Sequence, residues 1–190
     1  MVLYIYKMKK LSVFIFIFWG ISSYSQIDSS YLNLLNKTSE INLVDSLTIT
    51  TNADQLTSLD TLEVIKWFKL VIPGAGPNRI RKRDYYLIGK ITNNENFDLL
   101  ILMEQKKRID STSIQTAWLV TTRKDGKYIA SLEVAVSGSK KQSTYNITSC
   151  LYKDLRVILN STINASQATI SENNIYNINK TGRFLLASRY

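Results

Sequence analysis

The sequence predicts a mainly β protein, an eight-stranded antiparallel meander closing as a sandwich or a small barrel, with a small helical piece at its N-terminal side. Three observations predict it. From Tyr85 onward apolar residues alternate with a period of two, the spacing of half-buried strands. The alternating runs are separated by short polar links, Asn93–Asn96, Lys124–Lys127, Gly138–Lys141, Tyr152–Asp154 and Lys180–Arg183, too short for anything but antiparallel neighbours. Both prolines fall in Pro73-Gly-Ala-Gly-Pro77, which divides this region from a less regular N-terminal part.

In chain order, residues 1–25 read as a signal peptide. Lys9 and Lys10 form a basic start, Leu11 to Ile21 an apolar run of 11 residues, and Ser23 and Ser25 the small residues of a cleavage site. A membrane-spanning helix needs about 20 apolar residues, so no transmembrane anchor is expected after cleavage. The processed chain is expected to begin at Gln26, the true start is Met1 or Met8, and the destination is the periplasm, the cell surface or the medium. The Ser23-Tyr24-Ser25/Gln26 junction resembles those of exported proteins from Bacteroidota. Tyr86-Leu-Ile-Gly-Lys-Ile91 and the closing Gly182-Arg-Phe-Leu185 resemble segments of exported β-rich proteins of the same group, which implies export and no particular activity. Asp45-Ser-Leu, Asp60-Thr-Leu and Asp110-Ser-Thr resemble the acceptor pattern of periplasmic O-glycosylation in that group.

Residues 26–72 form the N-terminal segment. Asp28 is placed to cap a short helix carrying Tyr31, Leu32, Leu34 and Leu35 on one side. The stretch Ser58 to Leu70 fits a helix through Leu62, Ile65 and Phe68 and fits a strand equally well. Residues 73–84 read as a Pro/Gly/basic loop; Gly74-Ala-Gly76 lacks the third glycine of a dinucleotide fingerprint and reads as a turn. The β region spans 85–190, with strands expected at Tyr85–Thr92, Phe97–Gln105, Ile114–Thr122, Tyr128–Ser137, Thr144–Leu151, Leu155–Thr162, Ala168–Ile170 running on toward Ile178, and Arg183–Ser188. Thr122-Arg-Lys-Asp-Gly126-Lys-Tyr-Ile aligns with Ile178-Asn-Lys-Thr-Gly182-Arg-Phe-Leu, so 85–137 and 144–188 read as two four-stranded halves, duplicated or alike by chance.

The chemistry is bounded mainly by exclusion. The 190 residues contain no histidine, which removes Ser-His-Asp and Cys-His machinery and the usual zinc sites, and no cofactor or metal is expected. The single cysteine, Cys150, forbids an internal disulfide and reads as a small apolar strand residue. Paired carboxylates are the one catalytic device left, with Asp98, Glu104, Asp110 and Glu133 in or beside the strands. Glu133, between Leu132 and Val134, reads as outward-facing. Eleven tyrosines, among them Tyr85, Tyr86, Tyr128, Tyr145, Tyr152 and Tyr176, read first as strand filling and second as stacking faces for sugars.

The formal charge is +9, of which Lys7, Lys9 and Lys10 supply three, leaving +6 on the processed chain. Such a charge suits anionic envelope material, acidic glycan or lipid headgroups, or an envelope protein, sooner than nucleic acid. The densest basic cluster, Arg79, Arg81, Lys82 and Arg83, lacks interleaved aromatics and is the candidate binding patch. The expected function is an exported, non-enzymatic binding domain of the cell envelope. The alternatives are a carbohydrate-active enzyme with paired carboxylates and a small outer-membrane β-barrel.

Overall fold

The computed structural model describes residues 28–52, 55–74, 76–106, 113–140, 142–166 and 168–190. The expected leader, the cleavage point before Gln26 and the Asp110 carboxylate lie outside these residues. The elements are α1 (Ser29–Lys37), β1 (Ser46–Ile49), β2 (Thr57–Leu59), α2 (Thr61–Glu63), a π turn (Val64–Phe68), α3 (Pro77–Arg81), β3 (Arg83–Ile91), β4 (Asp98–Lys106), β5 (Ile114–Thr122), β6 (Tyr128–Lys140), β7 (Ser143–Tyr152), β8 (Arg156–Ala165), β9 (Ala168–Ile178) and β10 (Phe184–Arg189). The eight strands expected from the alternation are β3 to β10. Each pairs antiparallel with the next, and with β2 they form one meander in the order β10-β9-β8-β7-β6-β5-β4-β3-β2.

Two expectations are corrected. Among the described residues the strand count is ten, because β1 and β2 arise inside the segment expected to be partly helical, and these strands form one sheet that does not close into a barrel. Both added strands, of four and three residues, are too short to show a period and exist through their partners. β6 pairs with β7 only from Val136 to Lys140, opposite Ser143 to Ile147. Beyond that the two diverge, and β1 takes the vacated edge against Ser149 to Tyr152. Gly138 lies in the paired stretch with φ +118°, and a Cβ there would fall 2.0 Å from the Ser113 carbonyl oxygen, so only glycine fits.

The stretch that fits helix and strand equally divides between them. β2 ends at Leu59, and Asp60 then starts α2 with a capping box. Its side chain accepts from the Glu63 amide at 2.8 Å, and the Glu63 carboxylate accepts from the Asp60 amide at 2.9 Å. The loop expected over 73–84 holds α3, opened by Gly76 at the N-cap and Pro77 in its first turn, so the Gly-Ala-Gly turn does lead into a helix. The expected cap of α1 is in place: Asp28 Oδ1 accepts from the Ser30 amide at 2.9 Å. The two turns aligned in the sequence share one pattern. The Gly126 amide bonds the Arg123 carbonyl and the Arg123 amide the Lys127 carbonyl, as Gly182 bonds Asn179 and Asn179 bonds Arg183.

The core has two parts, one on each face of β3–β5. Tyr85, Leu87, Leu100, Leu102, Trp118 and Val120 face the helical layer, where Tyr31, Leu34, Val64, Phe68 and Ile80 cover them. Ile91, Leu99, Ile101, Leu119 and Val134 face the other way, against Leu151, Val157 and Ile178 from β7, β8 and β9, so the sheet curls until its second half covers its first. The run Leu99 to Met103 is buried throughout because β4 has protein on both faces. In β3 the odd residues Tyr85, Leu87, Gly89 and Ile91 are all buried, yet the first pair and Ile91 belong to opposite clusters. The register shift between Leu87 and Gly89 turns the strand over.

Candidate functional site

The capping box places α2 and the π turn across the face of β3–β5. The inner side of this segment, Val64 and Phe68 with Val71 and Ile72 beyond it, is buried. Its outer side is also apolar: Leu62 is 76% exposed, Ile65 39% and Leu70 72%. A soluble amphipathic helix has polar residues there. Single π turns are uncommon and concentrate at functional sites. Between this segment and the β5–β6 turn lies a half-open groove of about 400 Å³. Half-buried Trp67 and Tyr128 contribute its aromatic surface, and Lys66, Lys69 and Lys127 its charge.

The turn is held against α1 beneath. The Tyr31 ring lies 5.3 Å from the Trp67 ring at 54°, and the Lys66 ammonium sits 4.6 Å from the Trp67 centroid. The Tyr31 hydroxyl donates to Asp98 Oδ2 at 3.1 Å and shares a 2.6 Å bond with the Thr122 hydroxyl. Burial, and then the Asp98 charge, push this phenol well above its usual range. Lys124 completes the network, donating to Asp98 Oδ1 at 2.6 Å and to the Thr92 carbonyl at 3.0 Å. Gly126 packs so closely here that a Cβ would lie 2.7 Å from both the Tyr31 and Trp67 rings. Lys66 pairs with Asp28 at 2.7 Å and Lys127 with Asp125 at 3.2 Å. Lys69 has no ion-pair partner among the described residues.

The expected basic patch divides. Arg79 forks over the Glu104 carboxylate, with Nη2 at 3.2 and 3.3 Å from its two oxygens, and Arg83 Nε forms an ion pair with the same group at 2.8 Å. Glu104 is only 1% exposed, so these two arginines neutralise a buried charge. Arg81 and Lys82 remain exposed. Beside the cluster the buried Tyr85 hydroxyl has no hydrogen-bond partner among the described residues, and its pKa is pushed up to about 12 by burial and then by the Glu104 charge.

Among the described carboxylates Asp98 stands apart from Glu104, whereas Glu104 and Glu133 lie on one face, near enough for one charge to act on the other. Asp98 and Glu104 stand at opposite ends of β4, six residues and roughly 20 Å apart, each already engaged by cations. Glu133 pairs across the sheet with Trp118, on the helical face that carries Glu104. It is exposed, as expected from its flanking residues, yet partial desolvation and then the Glu104 charge raise its pKa. Tyr85 serves the core and Tyr86 accepts from the Gln105 amide at 3.2 Å. Of the tyrosines named from the sequence, Tyr128 lines the groove. Trp67 was not among the candidates, because its partners come from another part of the chain. The local signal was Asp60-Thr-Leu-Glu63 before an apolar run, which marks a helix start and so puts Trp67 on a helical surface. Set against known proteins, the chain matches no family model, no curated protein and no solved structure.

Proposed function

We propose that the chain is an exported, non-enzymatic binding domain of the cell envelope that holds an anionic envelope component in the groove between the π turn and the β5–β6 turn. The observation that carries this reading is an aromatic surface, Trp67 and Tyr128, bordered by Lys66, Lys69 and Lys127. Aromatic faces contribute apolar area at little entropic cost, and lysines at the border attract an anion without a rigid geometry. The leader-like residues 1–25 and the remaining charge of +6 support the compartment and the sign of the ligand. Glu104 takes up Arg79 and Arg83, which moves the expected anion site away from the 79–83 cluster and onto the groove.

The test is retention of solubilised envelope material by the immobilised protein, unchanged or carrying Trp67→Ala with Lys69→Ala. The unchanged protein retains phosphate- or uronate-bearing material and the variant loses most of it, while both keep the same β circular dichroism. Equal retention by the two would overturn the assignment of the groove.

A further inference from the structure

We propose that the anionic component is the surface of a lipid bilayer, and that the outer side of α2 and the π turn is the part that enters it. This deepens the reading just given and rests on it. The groove alone suits any flat anionic ligand. What points to lipid is the apolar surface that runs from the groove onto its outside: Ile65 and Leu70 line the groove, Leu62 lies beyond it, and all three are exposed along one short segment that also carries Lys66, Trp67 and Lys69. A sugar ring needs stacking and polar partners in a concave site. It gives no reason for Leu62, 76% exposed outside the groove, beside Leu70, 72% exposed at its border. Insertion at a bilayer interface explains all six residues together. Leucine and isoleucine enter the acyl boundary, tryptophan lies at headgroup level, and lysines reach anionic headgroups from apolar stems.

Charge agrees with this occupant. With Asp28, the stretch Asp60 to Leu70 and the β5–β6 turn carry five cations, Lys66, Lys69, Arg123, Lys124 and Lys127, against four anions, Asp28, Asp60, Glu63 and Asp125, and Lys66, Lys69 and Lys127 line the groove together with Ile65 and Leu70.

The test is flotation of the protein, isolated from an exporting host, with vesicles of phosphatidylglycerol in phosphatidylcholine and with vesicles of phosphatidylcholine alone. Binding to the first at low salt is expected, weakening as salt screens the lysines. Each Lys→Ala change at Lys66 or Lys69 should weaken it about fivefold, and Leu62→Ser with Leu70→Ser by roughly tenfold or more. Both leucines are solvent-exposed, so these changes spare the fold. Tryptophan emission should shift to the blue on binding and lose that shift in Trp67→Phe, since Trp118 is already buried. Undiminished flotation of the Leu62→Ser/Leu70→Ser variant would overturn the proposal, since binding would then come from elsewhere, a retained leader included. Retention by an acidic polysaccharide without vesicle binding would overturn it and leave the groove as the anion site; failure to retain either would remove both.

Discussion

At the scale of single residues, burial decides what each charge is for. Glu104 is 1% exposed and would be costly without cations, whereas Arg79 and Arg83 keep part of their surface in water. Replacing both arginines by alanine strands the carboxylate, a change that costs about 3 kcal/mol or more at neutral pH. Only the ionised form of a stranded carboxylate carries that penalty, so it belongs to neutral pH and shrinks in acid. Urea unfolding of Arg79→Ala/Arg83→Ala should therefore show a large loss at pH 7 and a small one at pH 4. Equal losses would assign the effect to lost packing. The opposite sign holds at Asp28, whose carboxyl is lowered from 3.8 to about 2, first by the hydrogen bond from Lys66 and then by Ser30. Its pairing adds stability above pH 3.8 that disappears as pH falls through 2. A carbon-detected NMR titration should find that low midpoint in the unchanged protein and a higher one in Lys66→Ala, still below 3.8 because the Ser30 hydrogen bonds remain.

At the scale of elements, the groove depends on one turn being pressed against one helix. Gly126 has φ +84° and no room for a Cβ between the turn and the Tyr31 and Trp67 rings. Gly126→Ala should cost about 2–4 kcal/mol, combining left-handed backbone strain with displaced rings. A thermal melt checks the loss, and a shift of Trp67 emission without ligand checks its place. The elements also show what was readable. β5 was expected at Ile114–Thr122 and spans those residues, because the apolar run Ala117–Val120 and the Lys-Asp-Gly-Lys turn after it are local signals. β1 and β2 were not readable, since Ser46–Ile49 pairs only where β6 leaves β7, a vacancy created ninety residues later. The groove was hidden for the same reason: Trp67 and Tyr128 meet through folding and share no motif. The basic cluster was visible as charge, but that Glu104 engages two of its members depends on the β3–β4 pairing.

At the scale of the whole molecule, the question raised by the aligned turns is whether the two four-stranded halves are separate units. Their cores argue against independence. Leu151, Val157 and Ile178 complete a cluster with Ile91, Leu99, Ile101 and Leu119, and Thr121 Oγ1 donates to the Gly182 carbonyl at 2.7 Å across the two halves. Much of β8 and β9 is exposed beyond these contacts, which leaves the second half with few buried apolar groups of its own. Ordering a residue costs about 1.5 kcal/mol, while a buried aliphatic side chain contributes roughly 1.5–3 kcal/mol. A fragment covering 143–190 should therefore stay unfolded, and one covering 26–140, with its second apolar face uncovered, should be aggregation-prone and lack a cooperative transition. Circular dichroism and urea titration of the fragments, separately and mixed, check this. Recovery of sheet signal only on mixing is the expected outcome, and a cooperative transition in either fragment alone would show that the curled sheet is two domains.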